Sequence, residues 1–284
     1  MPAVLIPLLL SCAPAVADPC AGWSAPAAAG GVRSAELVEA SGLAASQRQP
    51  GSFWSHNDAG DGARLFAIGP DGADRGQLRL LDQAGQPLEA QDFEDIAIGP
   101  GPGGAPWLTV ADSGNNKGKR ASLRLLRFAE PAAMDGPQQV QAAVIELAWP
   151  DAPHDAEALL HDPLSGGLFI LSKEKGSARI FQVEELTGAA PRLRALGELR
   201  LPDGERLTGA DISPDGRRIL LRTKASVLLA SRAEGQTVPQ ALSGPLCALP
   251  APVEEQGEAV AATATGFVTV SEGVHPSLFV VRAP

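Results

Sequence analysis

Three features of the sequence predict an all-β protein folded as a β-propeller of five four-stranded blades. Short runs of Leu, Val, Ile and Phe are broken by Gly, Pro, Asp and Asn, a pattern typical of strands joined by tight turns. A repeat of roughly 50 residues is typical of propeller blades. The two ends of the chain together supply the length of one blade, which predicts a closed ring.

The repeat begins with a small or acidic residue that precedes an apolar strand, and a second apolar strand then ends in a polar residue. The five units start at Ser41, Glu94, Glu157, Ala210 and Glu258, separated by 53, 63, 53 and 48 residues.

An insertion at residues 130–140 accounts for the longer second unit. A sixth, degenerate blade hidden in that insertion is the alternative. Residues 32–38 are expected to form the N-terminal strand that joins the last blade and closes the ring.

The N-terminal segment predicts export. Residues 3–10 are apolar but too short and too interrupted by proline to span a bilayer. Residues 15–17 (Ala-Val-Ala) have the small-x-small pattern that signal peptidase cuts. We therefore expect residues 1–17 to be a signal peptide and residues 18–284 to be a single propeller domain, periplasmic or secreted.

The three cysteines fit an extracytoplasmic location. The alternative export signal is that of a lipoprotein, ending before Cys12, which would then carry a lipid anchor. Either route leaves Cys20 and Cys247, which are expected to form a disulfide in an oxidising compartment. Two free thiols are the alternative.

Charge excludes one class of partner. The formal net charge is −10 and no run of Lys or Arg is present, whereas affinity for nucleic acid depends on clustered basic side chains. We expect no nucleic-acid partner, no transmembrane span and a monomer.

Acidic side chains are expected to line the central channel, because the innermost strand of each propeller blade faces it. The first strands supply Glu94, Asp95, Glu157, Asp211 and Glu258, and the ends of the second strands supply Asp58, Asp112 and Glu272. Two bases, Lys173 and Arg222, occupy the equivalent position at the end of the second strand in the other two blades.

Crowded carboxylates repel one another unless a cation sits among them. Ca²⁺ is the expected cation, since it accepts six to eight oxygen ligands in loose geometry. The predicted ligands are Asp58, Glu94, Asp95, Asp112, Asp211, Glu258 and Glu272. The alternative is an ion-pair network of these carboxylates with Lys173 and Arg222, without a metal.

Several segments resemble known propellers. Residues 56–61, 93–97, 111–116 and 256–259 resemble a group of secreted bacterial propeller proteins, most of which have no assigned activity. Residues 155–159 and 169–174 are more distantly similar to β-propeller phytases and phytase-like esterases. That resemblance implies acidic residues that bind Ca²⁺ and basic residues that meet phosphate. The dense Lys/Arg complement that a polyphosphorylated substrate needs is not visible in the sequence.

Together these features predict a metal-dependent hydrolase of small phosphate esters, esters or lactones. The metal would polarise the substrate oxygen, Lys173 and Arg222 would hold negative charge, and Glu157 or Glu258 would act as the base. His56 is the best single acid–base candidate. The alternative is a non-catalytic exported propeller that binds a small anionic or ester ligand, or a protein, on one face.

Overall fold

A computed structural model describes residues 18–186 and 190–284. In chain order the strands are β1 (Ala27–Gly31), β2 (Ala40–Ala45), β3 (Phe53–Asn57), β4 (Arg64–Ile68), β5 (Asp74–Leu81), β6 (Phe93–Pro100), β7 (Pro106–Asp112), β8 (Ser122–Ala129), β9 (Gln138–Gln141), β10 (Ala143–Ala148), β11 (Ala156–His161), β12 (Leu168–Ser172), β13 (Ser177–Glu184), β14 (Arg192–Arg200), β15 (Leu207–Ile212), β16 (Arg218–Thr223), β17 (Val227–Ser231), β18 (Leu246–Leu249), β19 (Gly257–Thr263), β20 (Gly266–Ser271) and β21 (Ser277–Arg282). Helix is limited there to a short 3-10 turn, Pro102–Gly104, and α1, Val238–Leu242.

The strands form five sheets, which confirms the predicted five-bladed propeller. The strand orders from the inside outward are β2-β3-β4-β5, β6-β7-β8-β10, β11-β12-β13-β14, β15-β16-β17-β18 and β19-β20-β21-β1. Each innermost strand contacts the innermost strands of the two neighbouring blades, so the ring is closed around one axis. Within the described residues the insertion adds no sixth blade.

The N-terminal strand closes the ring, as predicted, but at a different place. β1, at Ala27–Gly31, pairs antiparallel with β21 as the outermost strand of the fifth blade. Residues 32–38 are irregular instead, and Val32 and Leu37 insert into the apolar layer between the fifth and first blades. Their apolar character reflects this packing and not a strand.

A disulfide joins Cys20 to Cys247, as predicted. Cys247 lies on β18, the outermost strand of the fourth blade. The segment before β1 is therefore bonded to the fourth blade while β1 belongs to the fifth. The predicted signal peptide and the lipid anchor at Cys12 lie outside the described residues.

The insertion forms a fifth strand on the first blade. β9 pairs with the outer strand β5 in parallel, from Leu78 opposite Gln138 onward. Glu130, at the start of the insertion, is buried and accepts hydrogen bonds from Ser46 Oγ (2.5 Å) and Trp54 Nε1 (3.1 Å). The second blade is thus fixed to the first.

The apolar core consists of layers between adjacent blades. Five clusters of buried side chains occupy the five interfaces between neighbouring blades. Trp54 belongs to the cluster between the first and second blades. This arrangement leaves the channel itself to be lined by the innermost strands. None of the helices in residues 18–186 and 190–284 has the length and apolar character needed to cross a bilayer.

Candidate functional site

One end of the channel carries two rings of side chains. The innermost strands begin at this end and the second strands finish there. An inner ring has one residue from the start of each first strand: Ser41, Glu94, Glu157, Thr208 and Glu258. An outer ring has the residue that follows each second strand: Asp58, Ser113, Lys173, Lys224 and Glu272.

A β-bulge presents each inner-ring residue. In four blades the pairing register shifts around this residue, as between Phe93 and Asp95 and between Ala156 and Ala158. In the first blade the shift falls between Ala40 and Leu43. A bulged residue is unpaired in the ladder and its side chain is re-aimed. The bulges explain why each innermost strand, although buried, presents a polar side chain at the same level along the channel.

Five carboxylates cluster on one side of this end, on the first three blades. Ligand oxygens of Asp58, Asp92 and Glu94 lie within 4.8 Å of one another, and so do those of Glu94, Asp155 and Glu157. Glu94 belongs to both groups and is buried, as is Glu157. We call the set Asp58, Asp92, Glu94, Asp155 and Glu157 the acidic mouth.

A glycine leaves room for the cluster. A Cβ atom at Gly114 would lie 2.0 Å from Glu94 Oε1 and 2.3 Å from the Asp92 carboxyl. Any side chain at this position would displace the two carboxyl groups. Glycine at position 114 therefore allows the backbone to lie directly against the two carboxyl groups.

The acidic mouth holds more negative charge than its neighbours neutralise. Burial, and then Glu157, Asp58 and Asp92, raise the pKa of Glu94 well above its usual value. Burial and the carboxylates of Asp58 and Asp155 raise the pKa of Asp92 to about 6. Burial raises the pKa of Glu157 to about 7, although Lys173 opposes it. In the absence of a cation these carboxyls therefore hold their protons to a higher pH than exposed carboxyls do.

Two lysines provide the positive charge of the rings. Lys173 Nζ lies 2.5 Å from Glu157 Oε1, and its side chain is 18% exposed. Lys224 Nζ lies 3.4 Å from Glu258 Oε1, a residue outside the acidic mouth. Its side chain is 53% exposed, so its ammonium is the one open to a ligand. Glu272 shares this side and accepts a hydrogen bond from Gln256.

Arg222 lies away from the outer ring. Its side chain is fully buried and forms an ion pair with Glu254 (2.5 Å) between the fourth and fifth blades. The strand register places Lys224, two residues later, at the position that matches Lys173. In the fourth blade, the repeat pattern in the sequence therefore points to a residue two positions before the one that lies in the outer ring.

Asp211 and Asp112 also lie outside the two rings. Thr208 is the inner-ring residue of the fourth blade, and Asp211 is further along β15, toward the opposite end of the channel. In the second blade Ser113, and not Asp112, follows the second strand. Asp112 instead forms ion pairs with Arg120 (2.9 Å) and Arg124 and is not exposed.

Asp95 and His56 are buried below the rings. Asp95 accepts hydrogen bonds from the backbone N–H groups of Ile96, Leu159 and Ala210. His56 Nδ1 lies 2.9 Å from the Asn57 carbonyl oxygen, and burial lowers the pKa of His56 to about 4. His56 is therefore neutral near pH 7 and has no exposed atom with which to move a substrate proton.

Asp92, Asp155 and Lys224 were missed by the sequence reasoning. A signal for the two aspartates existed, because Asp-x-Glu occurs at both 92–94 and 155–157. The spacing places two carboxylates at the same point of consecutive blades. Lys224 had no such signal, since only the strand register separates it from Arg222.

Known proteins resemble this chain at low sequence identity. No protein-family model and no curated protein matches the sequence. Among solved structures the chain is similar to a luciferin-regenerating enzyme, with a TM-score of 0.46 and 10% identity over 88% of this chain and 93% of that one. It is similar to a chain of a nidogen/laminin complex (TM-score 0.45, 12% identity, 82% and 72% covered). It is also similar to hydrazine synthase of Kuenenia stuttgartiensis (TM-score 0.48, 8% identity, 87% and 96% covered). None of the three supports an activity for this chain.

Proposed function

We propose that the acidic mouth binds Ca²⁺ and that the protein is a metal-assisted hydrolase of small anionic esters. The observation that supports it is that Glu94 belongs to two sets of three acidic residues. In each set the ligand oxygens lie within 4.8 Å of one another. Ca²⁺ lies about 2.3–2.6 Å from its oxygen ligands, so oxygens on either side of one ion are separated by distances of this order.

The protonation of the cluster supports a cation further. Carboxyls whose pKa is raised by burial and by neighbouring carboxylates lose their protons when a divalent cation binds, so the cation relieves an unfavourable arrangement. Carboxylate ligands without His or Cys favour Ca²⁺ over zinc. The acidic mouth contains only Asp and Glu.

A bound Ca²⁺ would polarise an ester or phosphoryl oxygen. The chain's own residues would then orient the substrate: the exposed ammonium of Lys224 can attract its negative group, and Lys173 lies beside Glu157 at the edge of the acidic mouth. Glu258, across the ring and outside the acidic mouth, would accept a proton from water. Burial raises its pKa, while Lys224 opposes this rise.

We place this activity in an oxidising, extracytoplasmic compartment. The Cys20–Cys247 disulfide supports this location, because such bonds persist where thiols are not kept reduced. Calcium sites of extracellular modules operate at about 10⁻⁴–10⁻³ M. An affinity in that range would suffice here.

Metal binding is tested by calorimetric titration of Ca²⁺ into the wild type and Glu94→Gln. We expect the variant to bind at least about tenfold more weakly, since it loses the carboxylate shared by both groups. Glu198→Gln, which removes the same charge from the exposed strand β14, is the matched control and should bind like the wild type. Equal affinity of Glu94→Gln and the wild type would contradict the site.

Catalysis is tested separately with chromogenic phosphate monoesters, carboxylic esters and lactones, with Ca²⁺ and with chelator. We expect turnover that chelation abolishes and that Lys224→Met reduces through a higher KM. Turnover that survives chelation would refute a metal-assisted mechanism.

A non-catalytic, ligand-binding propeller is the second candidate. The burial of His56 and the pairing of Glu157 with Lys173 favour it, because both withdraw the nearest acid–base groups from solvent. Ca²⁺ binding and stabilisation without turnover of any substrate class would select this function.

A further inference from the structure

A cavity of about 520 Å³ opens at the other end of the channel, where the innermost strands finish. Its walls are mainly apolar and include Ala45, Ile98, Ile212 and Val280. It extends from the channel into the junction of the fifth and first blades. Pockets of about 300–1,000 Å³ with apolar walls are typical of sites for small organic molecules.

One ionisable residue is among the described residues that line this cavity. Asp211 is 4% exposed, and each of its carboxylate oxygens accepts one backbone hydrogen bond, from Ile212 N (2.8 Å) and Ala262 N (2.8 Å). A carboxylate offers about four acceptor positions. About two positions on Asp211 thus remain unused at the wall of an apolar cavity.

Asp211 has no basic partner, in contrast to the buried carboxylates Asp162 and Glu254. Asp162 pairs with Arg232 at 2.6 Å, and Glu254 pairs with Arg222 at 2.5 Å. No Lys, Arg or His in residues 18–186 or 190–284 forms an ion pair with Asp211. Burial raises the pKa of Asp211 to about 7, as expected for a carboxyl group that lacks a counter-charge.

We propose that this cavity binds a small apolar molecule with a protonated primary amine, whose ammonium group donates hydrogen bonds to Asp211. The apolar part would occupy the space between Ile98, Ile212 and Val280. An ammonium group supplies the missing positive charge and up to three donors to the unused acceptor positions. This site lies at the opposite end of the channel from the acidic mouth and does not depend on the function proposed for it.

The recognition is tested with a matched ligand series: phenylbutylamine, phenylbutanol and phenylbutyrate. Calorimetric titrations are performed in slightly alkaline buffer with saturating Ca²⁺, which occupies the acidic mouth. We expect the amine to bind at least about tenfold more tightly than the alcohol, because its hydrogen bonds are charge-assisted. The carboxylate should not bind. Equal affinity of amine and alcohol would overturn the assignment to Asp211.

The position is tested with two variants, so that loss of folding cannot decide the result. Ala45→Phe fills part of the cavity and should weaken binding of the amine at least about tenfold. Ala143→Phe, on the exposed strand β10, is its matched control. Asp211→Asn should bring the affinities for amine and alcohol together, provided that its circular dichroism spectrum is that of the wild type.

The acidic mouth is the competing location for an amine. Glu94→Gln removes charge from that end only and should leave the affinity for the amine unchanged. An amine that binds Ala45→Phe as tightly as the wild type, but binds Glu94→Gln weakly, would place the ligand at the acidic mouth and refute the proposal.

Discussion

Buried carboxyl groups along the channel have two different roles, and hydrogen bonding distinguishes them. Asp95 accepts from N–H groups of the second, third and fourth blades, so its side chain links three innermost strands near the axis. The oxygens of Asp112 are likewise engaged, by Arg120 and Arg124. Glu94 and Asp92 instead face other carboxylates. This second kind is stabilised by a bound metal ion, which offsets the repulsion between the carboxylates.

We expect Asp95→Ala to lower the free energy of unfolding by about 3 kcal/mol or more. It leaves three buried backbone donors without an acceptor, and each such donor costs about 1–3 kcal/mol. Asp95→Asn should cost less, because its amide oxygen can still accept from Leu159 and Ala210. Urea denaturation of both variants measures the difference. Equal losses would show that the hydrogen bonds of Asp95 contribute little.

At the residue scale the sequence predicted the acidic character of the channel better than its individual members. Glu94 and Glu157 each stand just before an apolar run, so their repeat position could be read directly. In the fourth blade Thr208 replaces the acidic residue, and Asp211 offered a false match three residues later. Spacing alone could not separate them, because the bulge that defines the ring position is a property of the paired strands.

Among the elements, β1 was predicted in its function but not in its position. Its sequence, Ala-Ala-Ala-Gly-Gly, contains no β-branched or aromatic residue and so gives no strand signal. It is a strand because β21 offers an unpaired edge, as the register from Ala27 opposite Val280 shows. Tertiary contacts determine the conformation of such a segment. In the sequence, only the requirement that the ring be closed indicates that a strand is present.

The disulfide strengthens this weak strand from one side. We expect Cys20→Ser to lower the free energy of unfolding by about 2–4 kcal/mol, since the bridge closes a long loop of the unfolded chain, with a sequence separation of 227 between its ends. Thermal denaturation measures the loss.

Cys247→Ser should show the same loss, and reduced wild type should match both variants. A variant as stable as the oxidised wild type would mean that β1 and the adjacent packing of Trp23 on Phe267 hold the N-terminal segment without help.

For the whole molecule, the number of blades was predictable because a repeat of fixed length reflects one structural unit. The five apolar layers between blades follow from the same repeat. The apolar cavity at the opposite end was not predictable. It arises from the ends of strands and from turns on three or more blades, whose spacing in the sequence carries no information about a shared space.

The acidic mouth should make the stability of the metal-free protein fall as pH rises, and bound Ca²⁺ should remove this contribution. Carboxyls whose pKa is raised, such as Asp92 (about 6) and Glu157 (about 7), bind more protons in the folded state than in the unfolded state above about pH 4. They therefore destabilise the metal-free protein as pH rises through that window. Bound Ca²⁺ relieves this cost, so the rise in Tm that Ca²⁺ causes should be small near about pH 5 and larger near about pH 8.

Buried histidines act in the opposite direction and must be separated from this effect. The pKa values of His56 and His161 are lowered by burial to about 4, so their contribution to stability is lost as pH falls from about 6.5 toward 4. The difference in Tm with and without Ca²⁺ cancels them. A calcium-induced shift that is constant with pH would place the ion away from Asp92, Glu94 and Glu157.

The closure of the fifth blade also determines the order in which the molecule can fold. β1 precedes its partner β21 in the chain by the length of the whole ring, so it is synthesised well before β21. Every other blade can form from neighbouring segments, but the ring cannot close until β21 has been synthesised, and such long-range pairing is slow. During that interval β1 is a free strand. Its alanines and glycines give it little tendency to pair with other nascent chains. The same low β-propensity that makes β1 hard to predict from the sequence therefore also lowers its tendency to aggregate.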